Sequence, residues 1–169
     1  MKEHDIVAPS AWVVRWAPFI TRGRVLDLAC GSGRHARLLA GLGHEVTALD
    51  REPQSLAGVR FILADLEDGG PWPLPGEEFQ GIVVANYLHR PLFPRIERSL
   101  APGGVLIYET FMAGNERFGK PSNPAFLLAP GELWTAFGGL HIIAFGQGQS
   151  LRPKPAMVQR LCARRARNG

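Results

Sequence analysis

The chain has 169 residues, a length that fits one domain. Hydrophobic residues make up 46% and charged residues 20%, which excludes a disordered chain and allows a sizeable core. No apolar run approaches the roughly 18 residues of a membrane span, and Met1-Lys-Glu-His-Asp5 lacks the basic-then-apolar order of a secretory signal.

Cys30 and Cys162 lie far apart in sequence and form no metal-type spacing, so we expect free thiols in a reducing cytoplasm and no metal. The formal net charge of +4 is unevenly placed. No acid follows Glu132, whereas Arg152, Lys154, Arg160, Arg164, Arg165 and Arg167 do. The body is therefore nearly neutral, and the basic character belongs to the C-terminal segment. Such a segment either protects a solvated edge strand or docks on nucleic acid, and the first reading is preferred.

In chain order, residues 9–19 read as a short helix capped by Ser10, with Trp12 and Trp16 on one face. Val25 to Ala29 is a first strand, whose nearly continuous apolar run suits burial on both faces. Arg34 to Leu42 reads as a helix stopped by Gly43. Glu45 to Leu49 and Val59 to Ala64 are the next strands, ending at Asp50 and Asp65, with only a brief helical turn between them. Residues 69–76 are a loop, and Ile82 to Ala85 is a fourth buried strand. A helix at 92–100 precedes the turn Pro102-Gly-Gly104 and a fifth strand, Val105 to Thr110. Residues 112–130 form a long loop, of the kind that is usually functional or disordered. A short helix, Glu132 to Phe137, leads to strands Leu140 to Phe145 and Met157 to Arg164, an expected antiparallel hairpin at the sheet's end. The alternation implies an α/β, doubly wound, mainly parallel seven-stranded sheet with right-handed crossovers.

The run Asp27-Leu-Ala-Cys-Gly31-Ser-Gly33 joins a strand to a helix. Its small residues let the backbone turn sharply and approach a ligand, and the helix start offers unpaired N–H groups. Gly31-x-Gly33-x-x-Ala36 also matches a dinucleotide fingerprint, with Asp50 near the ~20-residue downstream position of a ribose-binding acid. Asp27 argues against a nicotinamide enzyme, because a carboxylate inside the first strand is costly without a partner. A ligand ammonium or ordered donors around the loop would supply one. Asp50 is placed for ribose hydroxyls and Asp65 for an adenine amino group. Taken singly, Asp27 reads equally as a turn cap, Asp50 as a turn former and Asp65 as part of an acidic loop with Glu67 and Asp68. In order, at three strand ends, the ligand reading prevails.

Residues Val25-Leu-Asp-Leu-Ala-Cys-Gly-Ser-Gly-Arg-His-Ala-Arg-Leu-Leu39 resemble motif I of class I S-adenosylmethionine-dependent methyltransferases. Val46 to Asp50 resembles motif II, Ile62 to Leu66 motif III, and Ile82 to His89 motif IV. The likeness spans roughly residues 10 to 165, nearest to small bacterial methyltransferases of the tellurite-resistance type. One departure is Ala29, where the family's first motif I glycine usually stands. The resemblance implies a Rossmann-like methyltransferase domain over residues 1–169, with residues 1–22 as an N-terminal helical lid. It implies S-adenosylmethionine as cofactor, bound by Asp27, Ala29, Gly31, Ser32, Gly33, Asp50, Arg51, Asp65, Leu66 and Asn86.

The implied reaction displaces a methyl group from sulfonium sulfur in line, so the enzyme mainly positions donor and acceptor. A base is needed only if the acceptor must lose a proton, and soft acceptors such as thiolates need none. His89 is the candidate base, since unperturbed histidine titrates near ~6.5, and Tyr87 is a second candidate. Asn86, Arg90, Glu109 and Thr110 are further acceptor-side residues, and Glu116, Arg117 and Lys120 belong to a candidate acceptor loop. Trp12, Arg15 and Trp16 read either as a lid or as ordinary packing on the sheet. The preferred function is methylation of a small molecule. The alternatives are an RNA or protein methyltransferase docking through the basic C-terminus or a partner subunit, and a cofactor-binding module without catalysis.

Overall fold

The computed structural model describes residues 7–168; Met1–Asp5, and with it the start of the expected 1–22 lid, lies outside them. Seven strands form one sheet: β1 Arg24–Leu28, β2 Glu45–Asp50, β3 Arg60–Leu63, β4 Phe79–Ala85, β5 Leu100–Phe111, β6 His141–Ser150 and β7 Ala156–Arg164. Their order across the sheet is β3-β2-β1-β4-β5-β7-β6. The first five pair in parallel, and β7 runs antiparallel to both β5 and β6. The order reverses direction beside β1, which is where open α/β sheets hold ligands outside the carboxyl ends of their strands.

Side chains alternate across the pleat, so one sheet builds two cores. Leu26 and Leu28 of β1 join Leu49, Ile82, Val84, Leu106 and Tyr108 on one face, under Ile96, Leu133 and Phe137. Val25 joins Val46, Ala48, Val83, Val105 and Ile107 on the other, under Val13, Trp16, Ala36 and Leu39. Four short helices supply the cover: α1 Ala11–Trp16, α2 Arg34–Gly41, α3 Phe93–Arg98 and α4 Glu132–Ala136. The Ser10 hydroxyl accepts the Trp12 N–H at 3.2 Å, the cap expected from its position. Residues 17–19 continue α1 only as a tighter 3₁₀ turn, after which Ile20 packs onto β4.

The expected elements all form, with four differences. The brief helical turn expected between β2 and β3 is absent: residues 51–59 are turn and irregular chain. The helix expected at 92–100 is a 3₁₀ turn, Arg90–Leu92, followed by α3, which ends before Leu100 joins β5. Leu100 pairs with Phe79 and the next pair is Gly81 with Val105, so the Pro-Gly-Gly turn is a bulge within β5. Finally, β6 runs to Ser150, well past the expected end at Phe145. Its glycine-rich second half has weak strand propensity, yet it pairs with β7 as far as Ser150 with Ala156. Gln159 stitches the two strands, donating to the Gln147 side-chain oxygen at 3.0 Å.

The 112–130 segment is tightly tethered. Met112 and Leu128 bridge, and the buried Asn115 amide donates to the Pro121 carbonyl at 2.9 Å while accepting the Met157 N–H at 3.0 Å. The loop therefore forms a fixed wall over the ends of β4 and β5.

Gly81 is where α1's trailing segment meets the sheet. A Cβ there would lie 2.7 Å from the Ile20 side chain, which is itself buried. Gly81→Ala is expected to destabilise the protein by about 1–3 kcal/mol through overpacking. Urea denaturation checks this, and an unchanged midpoint would mean that Ile20 repacks freely.

Candidate active site

The site is built on the carboxyl ends of β1, β2, β4 and β5. Leaving β1, the chain turns through Ala29 at φ 54°, Gly31 at φ 54° and Gly33 at φ 85°, three left-handed residues within five positions. Ala29 therefore adopts the conformation that its glycine counterpart in the family motif would adopt without strain. Gly33 caps α2, and a Cβ on it would strike Leu56 at 2.5 Å, so both backbone and space demand glycine. A Cβ on Gly31 would meet nothing, so the backbone there faces open space from which a ligand can approach.

Asp50 holds this loop in place. One carboxylate oxygen accepts the Gly31 N–H at 2.9 Å and the other accepts the Glu52 N–H at 2.9 Å. The register of β1 with β2, Leu28 beside Leu49, brings these ends together. Asp65 repeats the device after β3, accepting the Glu67 N–H at 2.9 Å. Each acid keeps lone pairs for a further donor.

Asp27 is the energetic centre. It is 1% exposed, and its Oδ2 has no hydrogen-bond partner among the described residues. Burial, opposed by a backbone hydrogen bond at Ala36 and the charge of Arg34, pushes its carboxyl up to about 7. An unpaired buried oxygen beside a cleft is a place for a cationic donor.

Two adjoining clefts open here. The smaller, about 290 Å³, is lined by Asp27, Ala29, Gly31, Ser32, Asp50, Asn86 and Tyr87, among others. The larger, about 470 Å³, is shared by Ala29, Asp50, Asn86 and Tyr87 and adds Arg51, Asp65 and Leu66. Of the expected cofactor residues, only Gly33 lines neither cleft; it shapes the turn. Asn86, at φ 55°, is the second non-glycine residue in the left-handed region, at the end of β4.

The expected catalytic pair is divided. Tyr87 lines both clefts, but His89 lines neither and lies with its Nδ1 3.5 Å from Glu67. The Tyr87 hydroxyl donates to the other Glu67 oxygen at 3.4 Å. Burial, then the charge of Glu67, raises the phenol well above its ordinary range, so Tyr87 keeps its proton at neutral pH. Arg90 points away from the clefts. It grips Glu132 through Nε at 2.6 Å and donates to the Ala125 and Leu127 carbonyls at 3.1 and 2.9 Å. Glu116 and Arg117 fold back on Gly114 and do not line the clefts, nor does Lys120.

Residues with no such expectation complete the walls: Arg34 and His35 in the smaller cleft, and Glu67, Phe111, Pro121 and Phe126 in the larger. The segment before α1 is fastened over the loop. Arg34 donates to the Ala8 carbonyl at 3.0 Å, the Ser10 N–H donates to His35 Nε2 at 3.0 Å, and the Ser10 hydroxyl donates to Glu109 at 2.7 Å. Burial, then Arg34, lowers the His35 imidazole to about 4, so it is neutral and able to accept. Trp12 and Trp16 pack on the sheet, Trp12 donating to the Leu161 carbonyl at 3.1 Å. His35 was legible as a buried helix position beside Ala36 and Leu39; the Ser10–Glu109 contact, 99 residues apart, left no sequence signal.

Among the described residues, no group of three or more His, Cys, Asp or Glu is placed to hold a metal ion, and no helix is long and apolar enough to cross a membrane. Cys30 and Cys162 are free and buried, and burial pushes both thiols up to about 12.

The pH dependence of stability follows from Asp27. Its folded-state value of about 7 lies above its ordinary 3.8, so the native chain retains a proton that the unfolded chain releases. That contribution is complete below pH ~4 and is lost as pH rises toward and through ~7. Asp27→Asn should remove this slope, so that its melting temperature falls less than the unaltered protein's between those limits. Parallel melting curves would place the titration elsewhere.

Residues 25–104 match a family model described as a methyltransferase domain. Trans-aconitate 2-methyltransferase of Methylobacterium nodulans is 38% identical over 109 residues, which are 58% of this chain and 42% of that protein. The protein of the same name from Delftia acidovorans is 35% identical over 114 residues, 58% of this chain and 41% of that one. The chain thus matches about two fifths of the length of these relatives. Among solved structures, TehB from Haemophilus influenzae superposes with a TM-score of 0.80 at 20% identity, covering 96% of this chain and 64% of that one. Burkholderia thailandensis 1,6-didemethyltoxoflavin-N1-methyltransferase, solved with 1,6-didemethyltoxoflavin and S-adenosylhomocysteine, superposes with a TM-score of 0.66 at 20% identity, covering 92% and 76%. Residues 25–104 thus resemble a methyltransferase domain, and the described residues share the fold of these solved methyltransferases.

Proposed function

We propose that this chain transfers a methyl group from S-adenosylmethionine to a small-molecule acceptor, as one cytoplasmic domain with the N-terminal segment as its cover. The observation that carries this reading is the buried oxygen of Asp27, unpartnered among the described residues, on a residue that lines the smaller cleft. A nicotinamide dinucleotide offers no ammonium to that oxygen, whereas the methionine end of S-adenosylmethionine does. The residues present fit the cofactor: Asp27 for the ammonium, the Gly31 backbone and Ser32 beside the amino-acid end, the free lone pairs of Asp50 for ribose hydroxyls, and Asp65 for the adenine amino group. Arg51 and Leu66 flank the nucleoside end.

The cofactor supplies a methyl group already activated on sulfonium sulfur, and the protein's contribution is placement and exclusion of water. Tyr87 and Asn86 sit between the two clefts, where donor and acceptor must meet. His89 stands outside the clefts, the His35 Nε2 already accepts the Ser10 N–H and Tyr87 holds its proton, so the acceptor is one that reacts without His89 or a Tyr87 phenolate as base. Tyr87 then orients the acceptor as a donor, held by Glu67.

A macromolecular acceptor is not favoured. Three of the six C-terminal basic residues are engaged within the fold: Arg160 with Glu109, Arg164 with the Phe19 carbonyl, and Arg165 with the Leu100 carbonyl and Glu78. Charges spent internally give little of the phosphate attraction that nucleic-acid docking requires.

By calorimetry, S-adenosylmethionine is expected to bind and NAD not to displace it. Asp50→Ala should weaken binding by about 1.5–3 kcal/mol for each charge-assisted bond lost, with the circular dichroism spectrum unchanged. Preferential NAD binding would overturn the methyltransferase reading.

A further inference from the structure

The larger cleft contains more than a nucleoside site. Its lining runs from Asp65 after β3 to Thr110 and Phe111 at the end of β5. Those strands are four places apart in the sheet, about 19 Å at the usual strand spacing. Asp50, Arg51, Asp65 and Leu66 occupy the β2–β3 end. The β5 end has a different character: Tyr87, Thr110, Phe111, Pro121 and Phe126 are all uncharged, and the carboxylate that adjoins them, Glu67, accepts the Tyr87 hydroxyl.

The charges of the whole lining are also one-sided. Asp50, Asp65 and Glu67 face a single cation, Arg51, which belongs to the nucleoside end. Two guanidinium groups beside the β5 end, those of Arg90 and Arg160, are already paired with carboxylates. Arg90 is held by both oxygens of Glu132 and by two carbonyls, and Arg160 is held by Glu109 and the Ser150 hydroxyl. Recruiting either one for a ligand carboxylate would strand a half-buried glutamate. Meanwhile Phe126, a large aromatic side chain on the cleft wall, remains 48% exposed. Its position is fixed, because the Arg90 guanidinium holds the carbonyls on either side of it, at Ala125 and Leu127.

We infer that the acceptor is an uncharged, flat, aromatic or heteroaromatic molecule seated against Phe126, Pro121 and Phe111, and not a carboxylate. This rests on the methyltransferase reading and deepens it. An aromatic wall rewards a flat partner through offset or edge contacts. An acidic lining suits the positive charge of the methyl donor and repels an anionic acceptor. A tricarboxylate such as trans-aconitate, named in the sequence relatives, finds no cation among the described lining residues at this end of the cleft.

The test is calorimetric titration of hydroxyquinoline, its carboxylic-acid derivative and trans-aconitate into protein saturated with S-adenosylhomocysteine. Hydroxyquinoline is expected to bind about tenfold or more tightly than either carboxylate. Phe126→Ala should weaken hydroxyquinoline about fivefold to tenfold while leaving S-adenosylhomocysteine affinity unchanged. Phe126→Arg, which puts a cation on the same wall, should narrow or reverse the preference, a result that a purely structural role for Phe126 would not produce. Tighter binding of either carboxylate to the unaltered protein overturns the inference, as does failure of hydroxyquinoline to bind at millimolar concentration. S-adenosylhomocysteine affinity is measured first, so its absence counts against the methyltransferase reading, and its presence with tight trans-aconitate binding counts only against the acceptor class.

Discussion

The burial of one carboxylate in the central strand organises this protein. Asp27 sits on β1, paired on both sides by β2 and β4, with an oxygen that no donor among the described residues reaches. A sheet interior tolerates such a group only when something outside the fold completes it or when it stays protonated. In the turn that follows Asp27, Ala29, Gly31 and Gly33 all adopt left-handed conformations, and Ala29 and Gly31 line the clefts. Backbone strain and an incomplete charge thus lie within a few residues of each other, where ligand binding can relieve one of them.

The surroundings keep that arrangement fixed. Asp50 ties the turn to the end of β2, and the segment before α1 is fastened to the start of α2 and the end of β5 by three hydrogen bonds. On the opposite wall Arg90 and Asn115 hold the 112–130 segment from beneath. Both sides of the cleft are therefore preformed, which suits a reaction whose main demand is alignment. The same economy explains the C-terminal charge: much of what looks like a basic tail is internal bonding of the last strand.

Much of this was readable before any coordinates. Apolar runs ending at Asp50 and Asp65, a glycine turn after β1, and the β6–β7 hairpin all follow from local pattern, and the fold class follows from their alternation. Boundaries were less legible where pairing overrode propensity. The second half of β6 is a strand because β7 lies beside it, and Leu100 belongs to β5 because Phe79 of β4 pairs with it. The long loop carried composition typical of a mobile segment, yet the buried Asn115 side chain, the Arg90 guanidinium and a bridge hold it, and the contacts to Arg90 and Met157 join segments distant in sequence.

The sequence by itself determined the fold class, the glycine turn after β1, and the acids at successive strand ends, because each depends on residues within one strand–turn–helix unit. Tertiary structure alone decided which side chains share the β5 end of the larger cleft. His89 moved out because the chain after β4 carries it to Glu67, and Phe126 moved in because Arg90 fixes its loop over the end of β5. These placements join segments distant in sequence, and hydrogen-bond geometry and net charge at such junctions have no periodicity from which they can be read in advance.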